Sequence, residues 1–315
     1  ECLVGSEMCI RDSSSAVIIG AGAVALEFAS LWNAAGCEVT LLIRKDRVLS
    51  TWERRASMTL TRELKRRGVN VIARTAVDRV DTGANLGATV HYRQGDSDED
   101  RTAYGEVVLA AIGRVPNTDA DWFRSSGLKL DERGYVTVDG YGRTNLDGVW
   151  ALGDITPGHA LAHRAFEQGI TIAEKIAGAD PKPVIDDTVP QVVFSFPEAA
   201  SVGLTLDQAK AREDVVEPKE TAYPMLSNAR MLMSGEGGSM TVVSGAFANN
   251  PDMQVVLGVH IVSPIASDLI AEAEQLVGNR VPLADAARLI HPHPTFSETL
   301  GEALLKADGR PLHTR

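Results

Sequence analysis

Residues 16–46 constrain the fold more than any other part of the sequence. They read as a strand (residues 17–19), a glycine turn, a helix and a second strand (residues 39–43). Strand, turn, helix and strand in about 30 residues is the context in which a GxGxxG-like turn binds a dinucleotide; an ordinary structural turn is the alternative. Gly20 permits the tight turn, and Gly22 lets the backbone approach a pyrophosphate at the positive end of the helix. The predicted nucleotide turn comprises Gly20, Ala21, Gly22, Ala23, Val24, Ala25, Leu26 and Glu27.

The helix after this turn carries apolar residues at helical spacing. Gly36 is a natural carboxyl-terminal stop, and Ala25 is small enough to let the helix lie close to the strand. We therefore expect the apolar face of the helix to pack on the sheet. The members of that face are Val24, Phe28, Leu31 and Ala35.

The second strand ends in cations. An NAD site usually offers a carboxylate to the ribose 2′-hydroxyl, whereas an NADP site avoids it and supplies cations to the 2′-phosphate. Ile43 is followed by Arg44 and Lys45, which favours NADP over NAD; surface charge is the alternative. Residues 44–67 contain nine Lys or Arg against three Asp or Glu. For residues 54–67 we interpret this excess as a solvated helix face.

Composition limits the classes of function. With 315 residues, 44% hydrophobic and 23% charged, the sequence predicts a soluble globular protein of two or three domains. A net charge of −11 argues against nucleic acid or an anionic membrane as a partner, and no apolar run approaches the length of a membrane span. The three cysteines, Cys2, Cys9 and Cys37, lack metal-binding spacing, which suits reduced thiols in the cytoplasm.

The first twelve residues differ in character from the rest of the chain. They lack the basic start and apolar core of a signal peptide. Because a strand opens abruptly at Ala16, we expect residues 1–12 to be a non-native leader, with native sequence missing before it. A native disordered tail is the alternative.

The pattern between residues 69 and 177 predicts further strands, a hairpin and a helix. Residues 69–73 form a third parallel strand, residues 77–80 and 89–92 a hairpin around the acidic turn at 95–100, and residues 106–112 a strand that ends in Gly113. A buried strand at 149–152 ends in Asp154, before a helix at 161–177. Asp154 can bind a sugar hydroxyl or cap that helix.

From residue 188 the pattern changes to an α+β domain. We expect antiparallel strands at 192–196, 238–243 and 255–262, and helices at 206–212, 264–277 and 295–306. Ser263 and Pro264 are good N-cap and first-turn residues for the second of these helices.

The segment HPHPTFSE at residues 291–298 is the most informative part of this domain. Two prolines hold His291 and His293 in an extended loop before a helix. Glu298 can fold back on His293 and raise its basicity, which would make it a proton carrier near neutral pH. Alternatively, Thr295 and Glu298 form a capping box and the histidines are loop surface. We expect the two roles of Glu298 to compete.

Several motifs together resemble the flavin-dependent pyridine nucleotide–disulfide oxidoreductases, and within that family the dihydrolipoamide dehydrogenases. The resemblance covers nearly everything from Ala16 to His313, in order. The motifs are GAGAVALE at 20–27, AAIGRVPN at 110–117, VWALGDITPGHALAHRAFEQG at 149–169, VPQVVFSFPEAASVGLT at 189–205, LGVHIVSPIASDLIAEA at 257–273, and HPHPTFSE.

The resemblance implies an α/β fold: a Rossmann-like NAD(P) domain (13–118), part of an FAD domain (119–183) and an α+β dimerisation domain (184–315). It implies that Asp154 bonds the flavin ribityl chain and that Gly113 and Glu27 lie near the nicotinamide. His293, held by Glu298, would be the acid–base that serves the partner subunit of a homodimer. The implied cofactors are FAD and NADP or NAD, and the implied substrate is a small dithiol or disulfide, or a lipoyl domain. Other implied cofactor-binding positions are Val77, Ala160, Leu161, Ala162 and His163.

Two departures from the family pattern qualify this resemblance. The family's first FAD fingerprint and its redox-active CxxxxC pair are not in the sequence, so the chain resembles the carboxyl-terminal two-thirds of such an enzyme, and we expect the fragment alone to be inactive. Arg44 and Lys45 stand where an NAD-using lipoamide dehydrogenase has a carboxylate, as in the NADPH-using glutathione reductases. An NADPH-dependent reductase of another small disulfide or of quinones, and a non-catalytic nucleotide-binding module, remain alternatives.

Overall fold

The computed structural model describes residues 13–82 and 87–314, so the leader predicted at residues 1–12 lies outside the described residues. The chain divides into two compact units. The first comprises the described residues up to Ile112 together with those from Val192 onward, and the second comprises Gly113–Gln191.

A parallel sheet opens the first unit. Its strands, numbered in chain order, are β1 (Ser15–Ile19), β2 (Glu38–Ile43), β3 (Asn70–Ala73) and β7 (Val107–Ala110). They lie in the order β3-β2-β1-β7, and every pairing is parallel. Helix α1 (Ala23–Ala34) connects β1 to β2, and α2 (Arg54–Arg66) connects β2 to β3. The predicted strand, turn, helix and strand are confirmed, and so is the third parallel strand.

The predicted apolar face of α1 is wrong. Val24 is 41% exposed and Leu31 is 50% exposed, whereas the side chains that pack on the sheet lie on another face. Because α1 is apolar on nearly every side, spacing alone could not select the buried face. The small residues on the true face let the helix approach the strands closely. That face comprises Ala25, Leu26, Ala29 and Trp32.

A three-stranded antiparallel sheet packs beside the parallel sheet. It contains β4 (Thr75–Thr82), β5 (Ala88–Gln94) and β6 (Arg101–Gly105), in that order. The acidic turn at 95–100 joins β5 to β6, so it does not close the predicted hairpin of β4 and β5. Strand β6 was not predicted, because it is short and directly follows the acidic run. Val17 and Leu42 of the parallel sheet pack with Val90 and Tyr92 of β5 in one buried cluster.

The second unit is mostly irregular. Its helices are α3 (Asp121–Arg124) and α4 (Ala162–Ile176), with 3-10 turns at Gly153–Ile155 and Asp186–Thr188. The predicted buried strand at 149–152 is wrong for the described residues: only an isolated bridge joins Arg143 to Trp150, and Val149 and Leu152 are each 38% exposed. Apolar composition indicated a strand, but no neighbouring described strand pairs with this segment.

An antiparallel sheet of five strands belongs to the carboxyl-terminal part of the chain, and the predicted α+β domain is confirmed. Its strands are β8 (Gln191–Val193), β9 (Glu198–Gly203), β10 (Val215–Pro224), β11 (Ser239–Phe247) and β12 (Asn250–Ser263). They lie in the order β10-β11-β12-β9-β8. Its helices are α5 (Leu206–Ala211), α6 (Ala229–Ser234), α7 (Ala266–Gly278), α8 (Leu283–Ala286) and α9 (Glu298–Ala307), with a 3-10 turn at Met225–Ser227.

Several details of this domain differ from the prediction. The sequence pattern did not indicate β9, which is rich in alanine, or β10, an edge strand with a proline beside its register shift. Helix α7 has Ile265 as its N-cap, two residues after the predicted Ser263. Helix α9 begins at Glu298 rather than at Thr295. No helix in the described ranges is long and apolar enough to cross a bilayer.

Candidate functional site

Gly20 and Gly22 differ in whether the fold requires glycine. Gly20 has a φ of +139°, and a Cβ there would lie 2.2 Å from the carbonyl oxygen of Ala111, so the close approach of two backbones requires glycine. Gly22 has a φ of −87°, which any residue can adopt, and a Cβ there would meet no atom of the described residues within 4 Å. The fold itself therefore does not require glycine at position 22, and the open space beside its backbone fits an approaching ligand.

The amino end of α1 is open beside Gly22. Among the described residues, no side chain caps it, and no acidic residue occupies its first turn. Its first main-chain bond runs from Leu26 N–H to the Gly22 carbonyl at 3.2 Å. The N–H groups of residues 23–25 have no main-chain partner within the described ranges and are available to an anion. Ala25 is fully buried against the sheet, as the fingerprint predicts. These features fit the pyrophosphate of a dinucleotide.

Glu27 connects this helix to the carboxyl-terminal domain. Its Oε1 accepts a hydrogen bond of 3.0 Å from Phe194 N–H, and Ser30 Oγ on the next turn accepts one of 3.0 Å from Phe196 N–H. The carboxylate predicted to lie near the nicotinamide is therefore held in a fixed position.

The end of β2 presents two cations. The side chains of Arg44 and Lys45 are exposed and form no hydrogen bond or ion pair with the described residues. Ile43 is fully buried, so only its backbone could contact a ligand. Val77 on β4 packs against the cluster around Val17 and Leu42. Of the residues predicted here, Arg44 and Lys45 are the ones placed to bind an anion.

The basic helix α2 is more than a solvated face. Arg66 donates to Glu63 at 2.7 Å and Arg67 to Glu236 at 2.7 Å, and the Arg67 guanidinium lies 3.8 Å from the centre of the Phe196 ring. The end of α2 therefore holds the carboxyl-terminal domain, a role that charge counting did not predict.

In the second unit, the predicted flavin-binding residues form an exposed polar surface. Asp154 lies in the 3-10 turn Gly153–Ile155, and its carboxylate is exposed without a hydrogen bond to the described residues. The alternative that Asp154 caps the following helix is wrong, because the N-cap of α4 is Leu161 and no side chain of the described residues caps that helix.

Gly113 was predicted to lie near the nicotinamide. It has a φ of +141°, and among the described residues there is open space where a Cβ would project.

The start of α4 presents the other predicted flavin-binding residues. Ala160 and Ala162 are exposed, and the Nε2 of His163 lies 2.7 Å from the Pro190 carbonyl oxygen. A free carboxylate beside an uncapped helix end suits the hydroxyl and phosphate groups of a flavin dinucleotide, so these residues fit FAD.

Arg164, which was not predicted from the sequence, orders this surface. It is only 6% exposed; its Nε donates to Asp186 at 2.6 Å and its Nη2 to the Pro157 carbonyl at 2.6 Å. A positive charge in the first turn of a helix is unfavourable, because it opposes the helix dipole. The position of Arg164 in the sequence could therefore have indicated that its side chain has a structural role.

His293 and Glu298 form a hydrogen-bonded pair at the start of α9. His293 Nδ1–H donates to Glu298 Oε1 at 2.8 Å, while Thr295 N–H donates to Glu298 Oε2 at 2.7 Å. The expectation that these two roles of Glu298 compete is wrong, because each carboxylate oxygen serves one of them. The His293 side chain is 71% exposed, so its Nε2 faces outward in the tautomer that leaves a lone pair there.

The contacts of Glu298 with Thr295 and His293 also favour its ionised form. Partial burial raises the pKa of this carboxyl, but the hydrogen bonds from Thr295 and His293 and the charges of His293 and His313 outweigh it and leave the pKa below its ordinary value. Glu298 is therefore a carboxylate near neutral pH.

His291 seats the histidine loop on two helices. Its Nε2 lies 2.9 Å from Glu272 on α7, and the hydrogen bond to Glu272 raises the pKa of His291 although burial opposes it. Its ring also lies on the backbone of α9, since a Cβ on Gly301 would be 2.5 Å from His291 Nδ1. His291 thereby fixes the loop that carries His293.

Cys37 is unsuited to nucleophilic chemistry. Cys37 is a free, buried thiol whose pKa is raised by burial and by the nearby carboxylates of Glu106 and Glu38, so it is a poor nucleophile. Residues 13–82 and 87–314 contain no group of three or more side chains suited to hold a metal ion.

Family comparisons match most of the chain. The model described as "Pyridine nucleotide-disulphide oxidoreductase" matches residues 6–169, and that family's dimerisation-domain model matches residues 189–304.

Curated relatives and solved structures agree with this match. The chain is 37% identical over 298 residues to a dihydrolipoyl dehydrogenase from Cupriavidus necator, covering 94% of the chain and 60% of that relative. A dihydrolipoyl dehydrogenase from Geobacillus stearothermophilus is 36% identical over 305 residues, with coverage of 95% and 62%. The crystal structure of LpdA from Mycobacterium tuberculosis superposes with a TM-score of 0.82 at 29% identity, covering 94% of this chain and 62% of that one. The chain thus spans about 60% of the length of the curated relatives it matches.

Proposed function

The chain belongs to the pyridine nucleotide–disulphide oxidoreductase family, and from this membership we propose that the protein is an FAD-dependent NAD(P)–disulfide oxidoreductase of the dihydrolipoamide dehydrogenase type. Its substrate would be a small dithiol or disulfide, or a lipoyl domain that carries one. It would act as a homodimer, which the dimerisation-domain match at residues 189–304 supports.

In this proposal each unit binds one cofactor. In the first unit, Gly22 and the uncapped amino end of α1 receive the pyrophosphate of the nicotinamide dinucleotide. In the second unit, Asp154 accepts hydrogen bonds from sugar hydroxyls, and Arg164 holds the turn beside it. A bound FAD would supply two-electron chemistry between the nicotinamide and a disulfide.

The geometry of His293 is the observation that carries the proposal. With Nδ1–H bonded to Glu298, the exposed Nε2 can take a proton from a substrate thiol or return one to a thiolate. Since the thiolate is the form that exchanges with disulfides, this proton transfer controls the substrate step. Thr295 N–H and the His291 contacts keep the imidazole aimed outward.

The proposal also requires a redox-active cysteine pair. Cys37 is the only cysteine within residues 13–82 and 87–314, and its burial makes it unsuitable. The pair must therefore lie outside those residues.

The test is His293→Gln in the FAD-loaded enzyme that also carries the redox-active cysteine pair. We expect lipoamide turnover to fall by about 10² or more, because the proton carrier is gone, while reduction of the flavin by the nicotinamide under anaerobic conditions keeps its rate. His91→Gln is the matched control, since His91 pairs with Asp81 at 2.9 Å on the three-stranded sheet. Unchanged lipoamide turnover in His293→Gln would show that the imidazole is not the acid–base.

A second candidate function is an NADPH-dependent reductase of another small disulfide or of quinones. The side chains of Arg44 and Lys45 favour it, because they are exposed, have no partner in the part of the chain that the structure describes, and suit a 2′-phosphate. Steady-state rates with lipoamide, low-molecular-weight disulfides and quinones separate the two candidates. If no substrate reacts, and the nucleotide still binds, a non-catalytic nucleotide-binding module becomes the better description.

A further inference from the structure

A cavity of about 360 Å³ lies between helix α2 and the turn that follows β2. Its lining carries four cations and one carboxylate, together with one exposed apolar side chain. This local excess of positive charge occurs in a chain whose net charge is −11. Cations held close together repel one another, so an anion bound among them would be favourable. The lining side chains include Asp46, Arg47, Arg54, Met58, Arg62 and Lys65.

The cations of α2 differ in their partners. Arg66 and Arg67 each donate to a carboxylate at 2.7 Å, and Arg62 lies 3.5 Å from one. Arg54 and Lys65 are exposed and form no hydrogen bond or ion pair within residues 13–82 and 87–314. The cavity therefore contains two cations whose charge the described chain does not balance.

Arg47 supplies a third cation from the turn side of the cavity. Its Nη1 donates to Asp46 at 3.1 Å and its Nη2 to the Ser50 carbonyl at 3.2 Å, and its side chain is only 21% exposed. Its Nε is buried and has no hydrogen-bond partner among the described residues. Because the hydrogen bonding of this guanidinium is incomplete, a further acceptor beside it would be favourable.

Hydrogen bonds fix the turn to the helix, so the walls of the cavity are already in place. Val48 N–H donates to Thr61 Oγ1 at 3.2 Å, and Ser57 Oγ donates to the Val48 carbonyl. Thr61 Oγ1 donates in turn to the Ser57 carbonyl at 2.7 Å. A site with fixed walls loses little conformational freedom when a ligand binds.

The spacing of the cations indicates the length of the ligand. Arg54 and Lys65 lie on one face of α2, about 16 Å apart along the helix axis. A single phosphate is too short to reach both ends, whereas a chain of condensed phosphates carries negative charge along its whole length. Arginine binds phosphate oxygens through two parallel N–H groups, and lysine binds them as a point charge. An extended acidic peptide would also need backbone partners, which a helix does not offer because its backbone is bonded internally.

We propose that Arg47, Arg54 and Lys65 bind a chain of three or more condensed phosphates, free or attached to a nucleoside, at a site separate from the nicotinamide dinucleotide. Met58, 53% exposed between the two helical cations, offers an apolar surface to a base. The inference goes beyond the proposed function and does not depend on it, since neither FAD nor a disulfide takes part.

Two double variants of the 315-residue chain form the test. Arg54→Ala with Lys65→Ala removes two cations of the site, and both side chains are exposed, so we expect the fold to be retained. Arg93→Ala with Arg101→Ala removes the same charge from the three-stranded sheet and is the matched control. Circular dichroism checks that both variants are folded.

The first measurement is calorimetric titration with inorganic tripolyphosphate at low salt and with saturating NADPH present. We expect one tripolyphosphate to bind per chain, with a Kd that rises about tenfold or more in the α2 variant and less than about twofold in the control. Equal losses in the two variants would overturn the inference, because binding would then follow net charge alone. Absence of binding, or binding only when NADPH is left out, would also overturn it.

Further titrations identify the source of the phosphate chain. ATP without Mg²⁺ that binds more tightly than tripolyphosphate, with the same loss in the α2 variant, assigns the site to a nucleotide. Equal or weaker binding of ATP assigns it to a free phosphate chain, and either result supports the inference. A hexaglutamate peptide that binds as tightly as tripolyphosphate, with the same loss in the α2 variant, would overturn it in favour of an acidic protein segment.

Discussion

Phe194 N–H donates a hydrogen bond of 3.0 Å to Glu27 Oε1, which joins helix α1 to the segment that follows β8. We expect Glu27→Ala to lower the free energy of unfolding by about 1 kcal/mol, because a charge-assisted hydrogen bond is lost at a partly exposed site. Glu27→Gln keeps an acceptor oxygen and should cost less. Urea unfolding of the two variants checks this, and equal losses would mean that the carboxylate charge, rather than the bond, matters.

Gly20 and Gly22 should respond to alanine in opposite ways. Gly20→Ala places a Cβ 2.2 Å from the Ala111 carbonyl oxygen, and we expect it to cost about 2 kcal/mol or more in stability. Gly22→Ala meets no neighbour, so stability should stay within about 0.5 kcal/mol. Dinucleotide affinity should nevertheless fall by about tenfold or more, because the methyl group occupies the pyrophosphate approach. Calorimetric titration and thermal unfolding of both variants measure the two effects.

Arg44 and Lys45 should set the preference between the two nicotinamide dinucleotides. Replacing both with Ala removes two exposed cations, so we expect NADPH binding to weaken by about tenfold or more and NADH binding to change by less than about twofold. Calorimetric titration of the chain with each nucleotide measures this. Arg62→Ala on α2 is the control, since that side chain is 70% exposed and lies two turns into the basic helix. Equal losses for NADH and NADPH would show that the two cations do not read the 2′-phosphate.

His260 should make the protein less stable in acid. It is fully buried: its Nε2–H donates to the Leu204 carbonyl at 3.2 Å, and Ser201 Oγ–H donates to its Nδ1 at 2.7 Å, so the ring is neutral. Burial lowers its pKa below the ordinary 6.5, with an opposing contribution from Glu53.

The direction of the pH effect is set by proton binding. Below pH 6.5 the unfolded chain takes up a proton at His260 that the folded chain refuses, so stability falls as the pH drops towards the lowered pKa. The decline should approach about 1.4 kcal/mol per pH unit from this residue. Urea unfolding across this range should show a shallower decline for His260→Gln. Parallel pH curves for the two proteins would rule out this contribution.

Features with local causes could be predicted from the sequence. The glycine turn and the His293–Glu298 pair each depend on residues within eight positions of one another, where spacing determines what can meet. The expected competition at Glu298 was wrong for a chemical reason, because a carboxylate has two oxygens and can serve both partners.

Features that depend on tertiary structure could not be predicted in this way. Glu302 meets His313 across 11 positions, Glu272 meets His291 across 19, and Arg164 meets Asp186 across 22. Each of these partners becomes visible only when the helices are placed. The face of α1 was mistaken for a related reason: an almost wholly apolar helix carries no information about which side the sheet will cover.

The imidazole of His291 packs against the backbone of Gly301, so a side chain at position 301 would collide with the ring. A larger residue at position 301 therefore requires a smaller residue at position 291. We expect the two positions to covary among related sequences. The same constraint applies to protein engineering. A histidine loop grafted onto another helix needs both the glutamate at the first turn and a glycine three residues after it.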